Sequence, residues 1–147
     1  LLPAVSTKKS ERRGTPPNSG APQDPGRVIA PTHDPRQEYP VLSFRFLQKG
    51  WGFDELSAEQ CQAFVCKWQT RSAMTWRELS QHKKQGLGSE FMPKEQIHPA
   101  VPEQFSTESR FRVYRHYGNL PMAGVKVENI YYVIWIEKDY GQLYDHG

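Results

Sequence analysis

Apolar residues recur along this chain at two different periods. Cys61, Phe64, Val65 and Trp68 stand at i, i+3, i+4 and i+7, which is one face of a helix. Residues 109–117 alternate instead, with Arg110, Arg112, Tyr114 and His116 on one side and Phe111, Val113, Arg115 and Tyr117 on the other, as in a strand. Residues 122–127 continue in that period, Gly124 and Lys126 facing one way and Ala123, Val125 and Val127 the other. Residues 130–136 are apolar at almost every position, which predicts a central strand covered on both faces. A β-prone run over residues 41–47, preceded by Pro40, predicts a further strand ahead of the helices.

Local chemistry sharpens the helix starts. Ser57 and Gln60 form a capping box, flanked by Leu56 and Cys61 as a hydrophobic staple. Thr75 and Glu78 repeat the device, with Met74 and Leu79 as the staple, so a second helix begins just after the first ends. Gly118 with Asn119, and Glu128 with Asn129, predict the turns of a three-strand meander. Residues 83–108, with Gly86, Gly88, Pro93, Pro99 and Pro102, read as a long irregular connection containing a short strand near 89–92. Residues 142–145 are expected to add an edge strand. Strand, two helices and then a meander is an α+β order. It predicts two helices packed on one face of a small, mainly antiparallel sheet of four or five strands. The other face is expected to be left free for a ligand.

Composition divides the chain further. Residues 1–40 hold eight of its 12 prolines and neither Phe nor Trp. Such a segment buries too little to offset its ordering entropy, so it is expected to be an extended Pro-rich arm ahead of an α+β domain over residues 41–147. The arm is expected to contact a protein partner or the domain itself. The formal net charge is only +3, with 19 Lys and Arg against 16 Asp and Glu. Any nucleic-acid partner must therefore be met by a patch rather than by the whole surface. Residues 109–127 supply one, with three Arg and Lys126 and no carboxylate.

Two cysteines, Cys61 and Cys66, both lie in the first helix and fit no metal spacing. They read as reduced small hydrophobes of a cytoplasmic protein. The five histidines show no metal spacing either, and no metal or other cofactor is expected. No apolar run reaches membrane-spanning length, so no membrane partner is expected.

The element order, with Phe111, Arg112, Val113, Tyr114 and Arg115 in one strand, Ala123 to Val127 in the next, Tyr132 to Ile136 in the last and Tyr144 in the tail, resembles the RelE/HigB/ParE superfamily of bacterial toxins. The likeness covers residues 41–147. It implies a toxin of a toxin–antitoxin system, a metal-independent endoribonuclease that cleaves mRNA, usually on the ribosome. By position, Arg112 or Arg115 would clamp phosphate and Lys126 would stabilise developing charge. Tyr144 would orient or donate a proton, and His146 would act as acid or base. Arg110, Arg115, His116, Lys83 and Lys84 would contact RNA. The near-neutral charge, the long loop and the Pro-rich arm depart from the family. Within this likeness the arm reads as a fused or docked neutralising segment of the antitoxin kind, and the other reading is a ParE-like member that acts on gyrase through protein contacts with no catalytic set.

Plainer readings stand beside these. Arg110, Arg112 and His116 also suit a solvated sheet face. His82, Lys83 and Lys84 suit the C-terminal end of a helix dipole, and His146 lies where chains fray. Trp68, Trp76 and Trp135 read as core, and Trp51, between glycines, as an exposed contact residue. A non-enzymatic interaction module docking through the arm is the alternative function.

Overall fold

A computed structural model describes residues 37–146. The Pro-rich arm falls outside the described residues apart from its last four positions. Five strands form one sheet: β1 (Val41–Ser43), β2 (Ser89–Pro93), β3 (Arg110–Tyr117), β4 (Leu120–Val127) and β5 (Ile130–Ile136). Their order is β1-β5-β4-β3-β2. All neighbours are antiparallel except β1, which runs parallel to β5 with Val41 opposite Ile130. Two helices, α1 (Ala58–Ser72) and α2 (Trp76–Leu79), lie between β1 and β2 in sequence. The architecture is α+β with a mostly antiparallel sheet.

Both capping boxes form. Ser57 Oγ accepts from the Gln60 amide at 3.1 Å while Gln60 Oε1 accepts from the Ser57 amide at 2.9 Å. Thr75 and Glu78 close the same pair of bonds at 3.1 and 2.8 Å. Each box satisfies two amides that a helix start leaves without partners. The face of α1 differs from the expected one in one respect. Phe64 and Trp68 are buried, but Val65 is exposed and Arg71 takes the next buried position. A charged residue at i+3 from Trp68 completes the apolar stripe.

Alternation in β3 and β4 sorts their residues between two cores. Tyr114, Met122, Tyr131, Val133 and Ile136 join Phe64, Trp68, Trp76 and Leu79 on the helix side. Phe111, Val113, Ala123, Val125, Ile134 and Trp135 pack on the other side. That second face is not free. Ile97 and Phe105 from the long connection, together with Leu143 and Tyr144 from the tail, cover it. The half-buried Phe46 and Trp51 pack against the same layer, so Trp51 is a packing residue rather than an exposed contact. Neither flat face remains open because loop segments without a regular period carry the covering apolar residues.

The first strand is shorter than expected, ending at Ser43, and 142–145 form no edge strand, with bends at 142–144 instead. The tail is held another way. The Leu143 amide donates to the Glu137 carboxylate at 2.8 Å, and the Leu143 carbonyl accepts from the His98 amide at 2.8 Å.

Candidate functional site

Arg112 pairs with Phe91 of β2 on one side and with Gly124 of β4 on the other. Strand alternation therefore sends Arg112, Phe91 and Lys126 to the helix side, at the rim beyond Tyr114. The Arg110 guanidinium lies 3.7 Å from the Phe91 ring centre and that of Arg112 lies 4.8 Å from it. Phe91 is 42% exposed, so two cations flank an aromatic ring that faces water. Lys126 Nζ stands 5.0 Å from the Trp76 ring centre. Trp76 is itself fixed by α2 and by its indole N–H, which donates to the Asn129 carbonyl at 3.0 Å.

These groups line two adjoining clefts that share Arg112 and Lys126. One, of about 100 Å³, adds Phe91, Arg110, Glu108 and Gly124. The other, of about 460 Å³, adds Trp76, Arg77, Ser80 and Gln81. Gly124 belongs there for a steric reason. A Cβ at this position would run into the Tyr132 carbonyl across the sheet, where the β4–β5 register shifts. Among the described residues that line the two clefts, four are cations, Arg77, Arg110, Arg112 and Lys126, and one is a carboxylate, Glu108. Guanidinium forks and an ammonium match phosphate oxygens in shape and charge.

Arg115 goes elsewhere. It points to the loop side, and its Nη2 is 2.9 Å from the Glu90 carboxylate, which Lys84 also meets at 2.9 Å. Burial alone would push the Glu90 carboxyl up. The hydrogen bonds from Lys84 and Arg115 outweigh it and hold that carboxyl below its ordinary value. Arg115 and Lys84 are thus already engaged by acid. Tyr144 and His146 sit beside them, in a cleft of about 240 Å³ that Asp145 also lines. The four expected catalytic residues are therefore split in two by the sheet: Arg112 and Lys126 on the helix side, Tyr144 and His146 on the loop side. Three of the expected RNA contacts are separated in the same way. Arg110 joins the basic strip, Arg115 and Lys84 do not, and Lys83 is an exposed residue of the connection whose carbonyl accepts from the Gly86 and Gly88 amides.

His116 is no surface contact. It is fully buried, with Nε2 2.6 Å from the Glu137 carbonyl, and burial pushes its pKa down to about 4. The β3–β4 register shifts between Arg115 and Tyr117. The shift brings the Tyr117 hydroxyl to Glu59 of α1 at 2.9 Å, so Tyr117 reaches the helix side rather than the side its alternation assigns.

His146 is packed rather than frayed. Its ring stacks on Tyr140 at 3.8 Å and lies 4.7 Å from Tyr144. Its Nε2 is 3.3 Å from the buried Glu137 carboxylate. Burial pushes the Glu137 carboxyl up, while the Leu143 amide and His146 act in the opposite direction.

One residue with a positioning role has no motif to announce it. Arg71 is fully buried in α1, donates to the carbonyls of Leu87 and Arg115 at 2.9 Å each, and lies 4.7 Å from the Trp68 ring centre and 4.9 Å from that of Tyr114. Burial lowers its pKa to about 10. It ties the start of β2 to the irregular end of β3. Only its spacing from Trp68 hints at this in the sequence.

Among the described residues, no group of three or more His, Cys, Asp or Glu is placed to hold a metal ion, and no helix is long and apolar enough to cross a membrane. Cys61 and Cys66 are free thiols. Comparisons of the chain with protein-family models, with curated proteins and with solved structures find no match.

Proposed function

We propose that this chain is a cytoplasmic RNA-binding protein of the RelE/HigB-like toxin kind, a metal-independent endoribonuclease that grips mRNA on the helix-side strip. The observation that carries the reading is the pair of guanidiniums flanking Phe91 beside Lys126 over Trp76. Cations held over an exposed aromatic ring grip a phosphate backbone, and their guanidinium planes offer a surface on which bases stack. In the cleavage step the ribose 2′-oxygen attacks the adjacent phosphorus and the bond to the 5′-oxygen breaks, leaving a 2′,3′-cyclic phosphate and a 5′-hydroxyl. Glu108, the carboxylate of this strip, takes the 2′-hydroxyl proton. Arg110 and Arg112 hold the phosphoryl oxygens, and Lys126 protonates the leaving oxygen. Tyr144 and His146 take no part, because they line a cleft on the opposite face. An antitoxin or other protein contacted by residues 1–40 is the partner this reading expects.

The separation of Tyr144 and His146 from the strip also favours a second reading, in which the strip binds RNA without cutting it. One experiment separates the two. The full chain is incubated with labelled single-stranded RNA in chelator, following binding by anisotropy and products by gel, beside an Arg112→Ala/Lys126→Ala variant. Binding with cyclic-phosphate products, both lost in the variant, supports the nuclease. Binding without products supports the second reading. Equal behaviour of the two proteins, or no binding, sinks the site. Induced expression in bacteria, following growth and mRNA integrity, tests the toxin assignment.

A further inference from the structure

The loop-side cleft is built differently from the phosphate strip, and its unpaired groups define a ligand. Tyr144 is only 3% exposed, yet its hydroxyl has no hydrogen-bond partner among the described residues. Arg115 spends Nη2 on Glu90, but its buried Nη1 has no partner either. Both residues line the same cleft. Buried polar atoms are nearly always paired, so two idle donors in one cleft call for an acceptor from outside. The shared acceptor that satisfies a guanidinium N–H and a phenol O–H together is a carboxylate.

The rest of the lining narrows the choice. Glu90 and Asp145 balance Lys84 and Arg115 in this cleft, so it holds no surplus positive charge for a dianion such as phosphate. Glu90 is held by Lys84 and Arg115. Asp145 is 93% exposed at its side chain and, among the described residues, meets only His98, at 3.4 Å. It is therefore open to a second cation. A cleft of about 240 Å³ is smaller than the usual drug-sized pocket, which begins at roughly 300 Å³. Size, two idle donors and one weakly engaged carboxylate agree on a small molecule carrying both charges.

We propose that this cleft binds a free α-amino acid, its carboxylate on Arg115 Nη1 and the Tyr144 hydroxyl and its ammonium on Asp145. Binding here is separate from the phosphate strip on the other face of the sheet and does not rest on the nuclease reading. The side chain of the ligand would project past Tyr140, the exposed aromatic residue at the cleft's rim.

The test is calorimetric titration of the full chain with a panel of free amino acids at millimolar concentration, with acetate, methylamine and inorganic phosphate as separate arms. The expected result is saturable binding of one or more amino acids and far weaker binding of the other three probes. Tyr144→Phe removes one oxygen that has no partner in the unliganded protein. It should leave the melting temperature unlowered while weakening binding about threefold to tenfold. Asp145→Asn, at an exposed position, should weaken amino acids and leave acetate unchanged. Absence of binding by every amino acid overturns the proposal. So does acetate or phosphate binding as tightly as the amino acids, or unchanged affinity in both variants.

Discussion

Arg112 and Arg115 stand three residues apart on one strand and end in opposite surroundings. Arg112 shares its rim with Arg110, Lys126 and an exposed ring, and Glu108 is the one carboxylate among the described residues lining the strip. Arg115 is mostly buried beside a carboxylate that a lysine also holds. The same side chain is thus a surplus charge on the helix side and a neutralised structural charge on the loop side. Residue type alone does not make a phosphate clamp. The local balance of charge matters as well, because a carboxylate already beside an arginine offsets the charge that would draw a phosphate.

The comparison breaks first if only one side is a true core. Trp68→Ala on the helix side and Trp135→Ala on the loop side should each cost about 3–5 kcal/mol in denaturant unfolding, since both rings are buried. A negligible cost for Trp135→Ala would mean that the loop layer is loose cover.

A second handle is pH. His116 sits on the helix side of β3, and its folded pKa of about 4 lies below the ordinary value of 6.5. The buried ring is held neutral, so its contribution is complete above about pH 6.5 and is lost as pH falls towards 4. The loss is up to about 3 kcal/mol. The raised pKa of Glu137 works the other way, favouring the fold as that carboxyl protonates. The His116 share is therefore read as the difference between wild type and His116→Gln across that window. Parallel stability curves for the two proteins would refute it.

The functional contrast is smaller in energy and sharper in meaning. Arg112→Gln should weaken single-stranded RNA binding about tenfold and lower the salt slope by about 0.7, the loss of one phosphate contact. Arg115→Gln should leave both nearly unchanged in protein that remains folded. Equal losses in the two variants would put the RNA path across both faces. The smallest effect concerns the turn that joins β4 to β5, where Glu128 has φ of 56°, a conformation glycine adopts at little cost. Glu128→Gly should raise stability by about 0.5–1 kcal/mol in thermal unfolding. A loss would show that the Glu128 side chain contributes more than its backbone strain costs.

Part of the strip was legible in the sequence because it rests on short-range rules. Two capping boxes placed the helices, and period-2 alternation put Arg110 with Arg112 on one face of β3 and Lys126 with Gly124 on one face of β4, whereas Phe91, Trp76 and Glu108 join them only through the folded sheet and α2. What lay beyond reach depends on contacts between distant segments. Ile97 and Phe105 follow no period, so nothing local shows that they cover the second face. Tyr144 and His146 follow the last strand by a few residues, but their position depends on the buried Glu137 carboxylate gathering Leu143 and His146. The irregular end of β3 redirects Tyr117, and the nearby Gly118 and Pro121 mark a turn without showing to which face the tyrosine goes. Arg71 was hidden for a different reason: a polarity pattern counts it as solvent-facing, whereas two carbonyls and two rings hold it inside.

The parallel pairing of β1 with β5 has a consequence for the order in which this protein is made. Residues 41–43 emerge from a ribosome early, but the strand they lie beside is among the last parts of the domain to follow. Until it arrives, Leu42 lacks the neighbour on which its burial depends, and the apolar face of α1 has only part of its sheet to cover. A domain closed by its first and last strands cannot finish folding while it is being synthesised, so its exposed intermediates fall within the reach of whatever binds nascent chains.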